Sequence, residues 1–532
     1  MSISYNIYRM EYSKVDELIK KITSVGLIEQ KSLKKKKYKM TFYYSDNVKG
    51  NAIWWWQTYQ SFFKDDVIEP FNTFHFGLLL CFKNKNPEHC YLVSLGKSHF
   101  YLNKFIEHDF GIKVAMRIAN DENILLKKSR YFCGAKKQDV ASYQQFIPGS
   151  YLPGESVEHL KTKASQDEIW GSKNIIFADS IQLDLEKKPE ELVDIFNEID
   201  TSLSKSGKLE FPKLEKVLDQ SKMDELDINL MDAILKKEVE VQIDEMQSFG
   251  TSIVFVDSDS NYKLFVKEKD SQKWAARTPS INNISIDDIL NFISNEKITD
   301  LNAVFVKVVN EVHGSYTLPL KKLLCFTVRE QDDYFYLKNG DWFSFNTTFM
   351  RFLEISLRSI DFVLAEDISE KDFLTWKNEK EQLIKDKKHK DKLKYREYYF
   401  NEKMAKEKKF LLMDRNLKQI KSLNTNGRDY KIEIADLYLN KELISVKISD
   451  KPHDIIYNVE QSKTSAQMIN RGTVKFTKPL THMSIWLSMQ KKINDITGIN
   501  SIQALLAIQS WKEMIEGMGL KVRIYYSYHD KS

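Results

Sequence analysis

The sequence predicts a multidomain protein of mixed α/β (α+β) class that closes with an α-β-β-β-α-β unit. Three observations carry this. At 532 residues the chain is too long for one hydrophobic core, so it divides into roughly two to four domains. Its 42% hydrophobic and 29% charged residues are those of a folded, soluble chain rather than a disordered one. Only 10 Pro and 18 Gly interrupt it, which favours long helices and regular strands joined by short loops.

The first domain, 1–175, reads as mixed α/β. "SISYNIYRM" alternates as a strand, and "VDELIKKITSVGL" has helical spacing. "TFHFGLLLCF" and "CYLVSLG" read as neighbouring buried strands around the polar turn "KNKNPEH". The second domain, 176–370, begins acidic and helix-rich ("KPEELVDIFNEID", "KMDELDINLMDAILKKEVE") and returns to strands from "TSIVFVDSDSNYKLFV". Its clearest hairpin is "DDYFYLKNGDWFSFN", where Asn339-Gly340 supplies the positive φ angles of a tight turn. No internal repeat is visible.

The third domain, 371–532, opens with a charged helical stretch and then switches to strand signals in "KFLLMDRNL", "YKIEIADLYL" and "ELISVKIS". A helix ("HDIIYNVEQSKTSAQMIN"), a strand ("MSIWLSM"), a helix ("SIQALLAIQSWKEMIEGMG") and a last strand ("KVRIYYSY") follow. The α-β-β-β-α-β order is that of a restriction-endonuclease-like core. Such nucleases hold a metal with an acid at the end of one strand and an acid-x-Lys on the next. The metal polarises the phosphate and lowers the pKa of the attacking water, and the Lys stabilises developing charge.

In "DLYLNKELISVKIS" the candidates are Asp436 as metal ligand and Lys447 at the attacking water, with Ser445 where an Asp or Glu is usual. Strand parity places Ser445 and Lys447 on one face and Glu442 on the other, and turns Glu433 away from Asp436. The second carboxylate is therefore sought on a helix: Glu402 before the hairpin is the choice, with Glu460 and Asp414 as further options. Taken alone, an Asp and a Lys at this spacing equally describe an ordinary hairpin with a surface lysine.

The formal net charge is +5, unevenly placed. Between 377 and 409 there are 13 Lys/Arg and 7 Asp/Glu, a local charge of +6, so the rest nets about −1. Lys387, Lys388 and Lys390 in this segment are candidate nucleic-acid contacts. Lys127, Lys128 and Arg130, interleaved with Tyr131 and Phe132, are others; a solvated surface is the plain alternative for both. Trp54 to Trp56 with Phe62 and Phe63 could stack on bases, although core or a partner interface is the commoner use of such a cluster. "LGKSHF" lacks the first Gly of a phosphate-binding loop, since position 91 is Tyr. The four Cys form no CxxC pair, which excludes a zinc ribbon and points to a cytoplasmic compartment. No run reaches membrane-spanning length, and the N-terminus has no signal-peptide pattern.

Several stretches together support a resemblance. They are "YLVSLGKSHFYLN" with "EHDFGIKVAMRIAN", "KKSRYFCGAKKQDVASY", "LLCFTVREQDDYFYLKNGDWF", "YYFNEKMA" leading to "LLMDRNL", "IEIADLY" leading to "LISVKI", "VEQSKTSAQ" and "LLAIQSWKEMIEGMGLKVRIYY". In this order, over nearly the whole chain, they resemble the large "sporadically distributed" bacterial proteins of unknown function found in mobile and anti-phage defence loci. The resemblance implies a nuclease-like C-terminal domain and a defence role. It matches Glu402, Asp414, Asp436, Lys447 and Gln461 to the family's motifs, with Gln461 as a nucleic-acid contact. It also implies that Ser445 is a family feature, because the position two before the Lys tends not to be acidic there either. The expectation is a cytoplasmic Mg²⁺-dependent nuclease acting on nucleic acid, DNA before RNA, with a phage or co-encoded protein or a second copy of the chain as further partners. A non-catalytic nucleic-acid sensor or a protein-interaction module of a multi-gene defence system is the alternative.

Overall fold

The computed structural model describes residues 2–52, 55–64, 66–68, 71–132, 137–147, 151–237, 240–241, 246–249, 252–255, 261–267, 274–282, 284–310, 314–330, 333–338, 340–385, 394–413, 417–420 and 430–531. The chain is a mixed α/β multidomain protein built on several sheets.

The N-terminal sheet has 10 strands. Its first strand, Ile3–Glu11, lies between His89–Leu95 and Ile181–Leu185, antiparallel to both. Ile7, Tyr5 and Val93 bury one face against the helices Phe110–Ile118 and Val193–Leu203. Leu18 and Ile22 of the helix Val15–Ser24 cover the other face with Leu78 and Leu92. The chain turns into the helix Phe110–Ile118 through Asp109, whose φ of 61° is left-handed. Gly111 is required there: a Cβ would lie 2.3 Å from the carbonyl oxygen of Ser180.

Residue 175 begins a strand (Ile175–Phe177), and the same core continues to Phe211. Antiparallel return of Ile181–Leu185 beside Ile3–Ile7 is a contact between residues far apart in sequence, to which local patterning is blind.

The middle domain joins a 5-stranded and a 4-stranded sheet around one core that includes Leu226, Leu230, Leu264, Val306 and Trp342. The expected hairpin forms between Asp333–Lys338 and Asp341–Phe345, with Gly340 at φ 84°. Asn339 lies outside the described residues.

The C-terminal sheet takes in strands that precede residue 370. Asp361–Leu364 and Ile368–Ser369 already pair, in parallel, with the last strand Lys521–Asp530. At the heart of the sheet, His482–Met489 lies parallel to both Glu442–Ile448 and Lys521–Asp530. Glu442–Ile448 pairs antiparallel with Leu437–Leu439, and that strand pairs antiparallel with Leu411–Leu412. Parallel neighbours need crossovers, and the helices Pro452–Asn470 and Ile502–Gly517 supply them. Parity decides the two faces. Leu443, Ile485 and Leu487 pack under these two helices, while Ile444, Val446 and Trp486 meet Phe400 and Met404 of the helix Arg396–Glu407. Leu443 and Ile444 are both fully buried, so a slip of one residue would invert every contact of the strand.

Candidate functional site

Leu437–Leu439 is much shorter than its neighbour Glu442–Ile448, and the site begins where it gives out. The chain bends away at Asp436, and its backbone N–H donates to the carbonyl oxygen of Ile444 at 3.0 Å. The next ladder position on the longer strand is the N–H of Val446. It donates 2.7 Å to Oδ2 of Asp436, so the carboxylate stands in for the missing strand. The two strands part here at the carboxyl end of Glu442–Ile448, leaving a notch.

The helix Arg396–Glu407 fills that notch from one side. Nδ2 of Asn401, fully buried, donates to Oδ1 of Asp436 at 3.4 Å. One turn earlier, Oε1 of Glu397 lies 3.3 Å from Nζ of Lys447, both side chains being about three-quarters buried. Arg396 fixes this first turn: its Nε donates 2.7 Å to Oε2 of Glu370, whose carboxylate also meets Nε2 of His529 at 2.9 Å on the last strand. The Arg396 hydrogen bond, opposed by burial and helped by His529, holds the Glu370 carboxyl below its usual pKa.

The expected second carboxylate, Glu402, lies on this helix with its side chain about four-fifths buried. Successive helical residues rotate by about 100°, so Glu402 is out of phase with Asn401. Its side chain lies 4.0 Å from Lys406, on its own helix. Glu397, four residues before Asn401, shares its face. Glu397 and Asn401 are thus the site residues missed in the sequence. The buried i, i+4 pair Phe400 and Met404 marks the inward face and was the signal available.

Other candidates fall as follows. Ser445 comes opposite Asp436 when the ladder is extended one step, and is 1% exposed; its Oγ has no hydrogen-bond partner among the described residues. Glu442 does face away from Ser445. It is buried beneath Arg523, whose NH1 lies 3.1 Å from Oε2, and Tyr525, whose OH donates at 3.0 Å. Glu460 pairs with Lys463 on its own helix at 2.8 Å. Gln461 is half-buried on the helix that follows Lys447. Asp414 and the side chain of Glu433 lie outside the described residues, as do Lys387, Lys388 and Lys390.

The basic strand Leu126–Tyr131 needs a correction. Lys127 points inward: its ammonium meets Oε1 of Glu155, and the two side chains are 5% and 0% exposed. Alternation puts Lys127 and Ser129 on the buried face, so Lys127 cannot reach a polyanion. Arg130 is tied to Glu158 at 2.8 Å. Lys128 points outward opposite His159; burial, then Lys128 and Lys161, hold the His159 imidazole below its ordinary pKa. In the other basic segment, Lys380 is buried beneath the Tyr398 ring at 4.3 Å, and Lys394 pairs with Glu381 at 3.0 Å. Of the aromatic cluster, Trp56 is buried against Phe63 at 4.0 Å between ring centroids, whereas Phe62 is 83% exposed.

Two carboxylates, Asp436 and Glu397, an amide and a lysine thus lie at a break between strands. The chain belongs to the family of unknown function DUF6119, which it matches over residues 5–483. No curated protein and no solved structure matches it. Among the described residues no helix is long and apolar enough to cross a membrane.

Proposed function

We propose that the protein acts on nucleic acid, as a divalent-metal-dependent nuclease with a restriction-endonuclease-like C-terminal domain, serving in anti-phage defence. The convergence of Glu397, Asn401, Asp436 and Lys447 on the strand break carries the reading. The order of pairing supports it: an antiparallel meander, a crossover helix and a parallel fourth strand.

Among the described residues no three His, Cys, Asp or Glu side chains gather to hold a metal. Mg²⁺ asks for less, since it keeps several waters and needs one or two carboxylates plus substrate phosphate. The donors present fit such a hard ion. Asp436 keeps acceptor capacity beyond the Val446 bond, because each carboxylate oxygen has two lone pairs. Asp436 and Glu397 would hold the ion, and when bound it would polarise a phosphoryl oxygen and activate water. Lys447 brings positive charge to the place where phosphate charge develops, and Glu397 orients it. Asn401 holds the Asp436 carboxylate, and Arg396 holds the helix turn that carries Glu397. Lys128 and Lys161 would meet backbone phosphates.

One observation favours a second reading. Ser445 is neutral where a further carboxylate would strengthen metal binding, and Asp436 already accepts from Val446. The same notch would then bind nucleic acid without cutting it. Incubation of the purified protein with DNA and with RNA, in Mg²⁺, Mn²⁺ or EDTA, separates the two. Cleavage lost in EDTA and in Asp436→Asn supports the nuclease. Salt-dependent binding with no cleavage in any metal supports the second reading.

A further inference from the structure

A cavity of about 250 Å³ opens on the sheet face that carries Trp486, behind the helix Arg396–Glu407. Asp436 and Lys447 belong by parity to the other face. Trp486, Phe400, Phe410 and Leu439 line the interior. The Trp486 indole is already stacked on Tyr525 at 4.8 Å and held through Nε1 to Ser527 Oγ at 3.0 Å, so the wall is rigid. Lys403 and Lys408 also line the cavity, together with the carboxylates Glu366 and Asp367. Oε1 of Glu366 lies 2.7 Å from Nζ of Lys408. The hydrogen bond from Lys408, with Lys403 assisting by charge, keeps the Glu366 carboxyl below its usual pKa.

We propose that this cavity binds a small flat aromatic anion, the ring against Trp486 and Phe410 and the acidic group on Lys403 and Lys408 in place of Glu366. The lining selects the ring: an apolar aromatic wall offers dispersion and edge contacts to a planar guest. The lysines select the charge. Glu366 and Lys408 are 68% and 46% exposed, and such a pair is screened by water and opens at little cost. Glu366 is thus an internal competitor for the anion position. A mononucleotide and an aryl carboxylate share this chemistry. Tyr399, Phe400 and Lys403 of the cavity lie on the helix that presents Glu397 and Asn401 to the notch, and binding here is independent of whether the notch cuts.

Calorimetric titration of the full-length protein with adenosine 5′-monophosphate and with 2-naphthoate, beside uncharged adenosine and 2-naphthol, tests the proposal and distinguishes the two sources. At least one anion should bind saturably and about fivefold or more tighter than its neutral analogue. Glu366→Gln should tighten that anion by about two- to fivefold, Lys403→Ala with Lys408→Ala should abolish the difference between anion and neutral analogue, and Leu439→Trp should block both. None of Glu366, Lys403 and Lys408 is buried, so these variants fold whatever Leu439→Trp does. Absence of saturable binding by either anion to wild type and Glu366→Gln alike, or anion binding indifferent to both lysines, overturns the proposal.

Discussion

Replacing Lys127 by Met separates a buried structural lysine from a nucleic-acid contact. The ammonium lies against Glu155, and both side chains are almost wholly buried. Removing one partner of such a pair costs about 3–5 kcal/mol, because the other charge stays buried without its counter-ion. Glu155 would keep two donors, Ser129 Oγ at 2.7 Å and the Leu152 N–H at 2.8 Å, so the lower end applies. Lys127 also lies over the Tyr151 ring at 5.0 Å, a contact that Met keeps only in part. The expected loss is about 3 kcal/mol, roughly a hundredfold in local stability. A single unfolding free energy is ill-defined for a multidomain chain, so the readout is native-state hydrogen exchange in the strands Leu126–Tyr131 and Glu155–Thr162. Adding Glu155→Gln removes the orphaned charge; its amide oxygen accepts from the Leu152 N–H while its NH2 donates to the Ser129 hydroxyl, and protection should return to within about 1 kcal/mol. Lys127→Met that exchanges like wild type while losing nucleic-acid affinity would refute the reasoning.

Three further outcomes follow from the geometry. Glu397→Gln should lower cleavage by about a hundredfold or more, whereas Glu402→Gln should leave it within about threefold; single-turnover assays on one substrate compare them. Lys128→Ala and Lys161→Ala should each weaken nucleic-acid binding and reduce the slope of log affinity against log salt by about one, as measured by fluorescence anisotropy. His108 has its pKa raised above 6.5 chiefly by the Asp179 carboxylate, whose Oδ1 lies 3.8 Å from Nδ1, against the opposing effect of burial. The linked stability is complete below pH 6.5 and is lost as the pH climbs through the raised folded value. Wild type should therefore lose thermal stability relative to His108→Gln on going from pH 6 to about pH 8, and a difference constant across that range would contradict it.

The hairpin was legible because its residues alternate cleanly and its two strands are adjacent in sequence. Glu442–Ile448 and the helices and strands after it follow their local patterns closely. The phase of the helix Arg396–Glu407 was harder to read. It is rich in charges, with acids at Glu397, Glu402 and Glu407, and its apolar pair Phe400 and Met404 is a slender marker of the inward side. Lys127 could not be read as buried, since its partner Glu155 lies on another strand and nothing local announces the pairing. Long-range pairing was equally hidden: Ile181–Leu185 and Asp361–Leu364 join strands far away in the chain. Ser445 was visible from the outset as the neutral member of the motif. The structure adds that it is buried beside the carboxylate that caps Val446.

The deciding measurement is phosphodiester cleavage by wild type, Asp436→Asn, Lys447→Ala and Glu397→Gln, side by side in Mg²⁺, Mn²⁺ and EDTA, with folding checked by circular dichroism. A nuclease centred on the strand break predicts metal-dependent cleavage by wild type that all three folded variants lose. Cleavage by wild type that persists in EDTA, or in Asp436→Asn and Lys447→Ala together, would place the chemistry elsewhere or remove it from this protein.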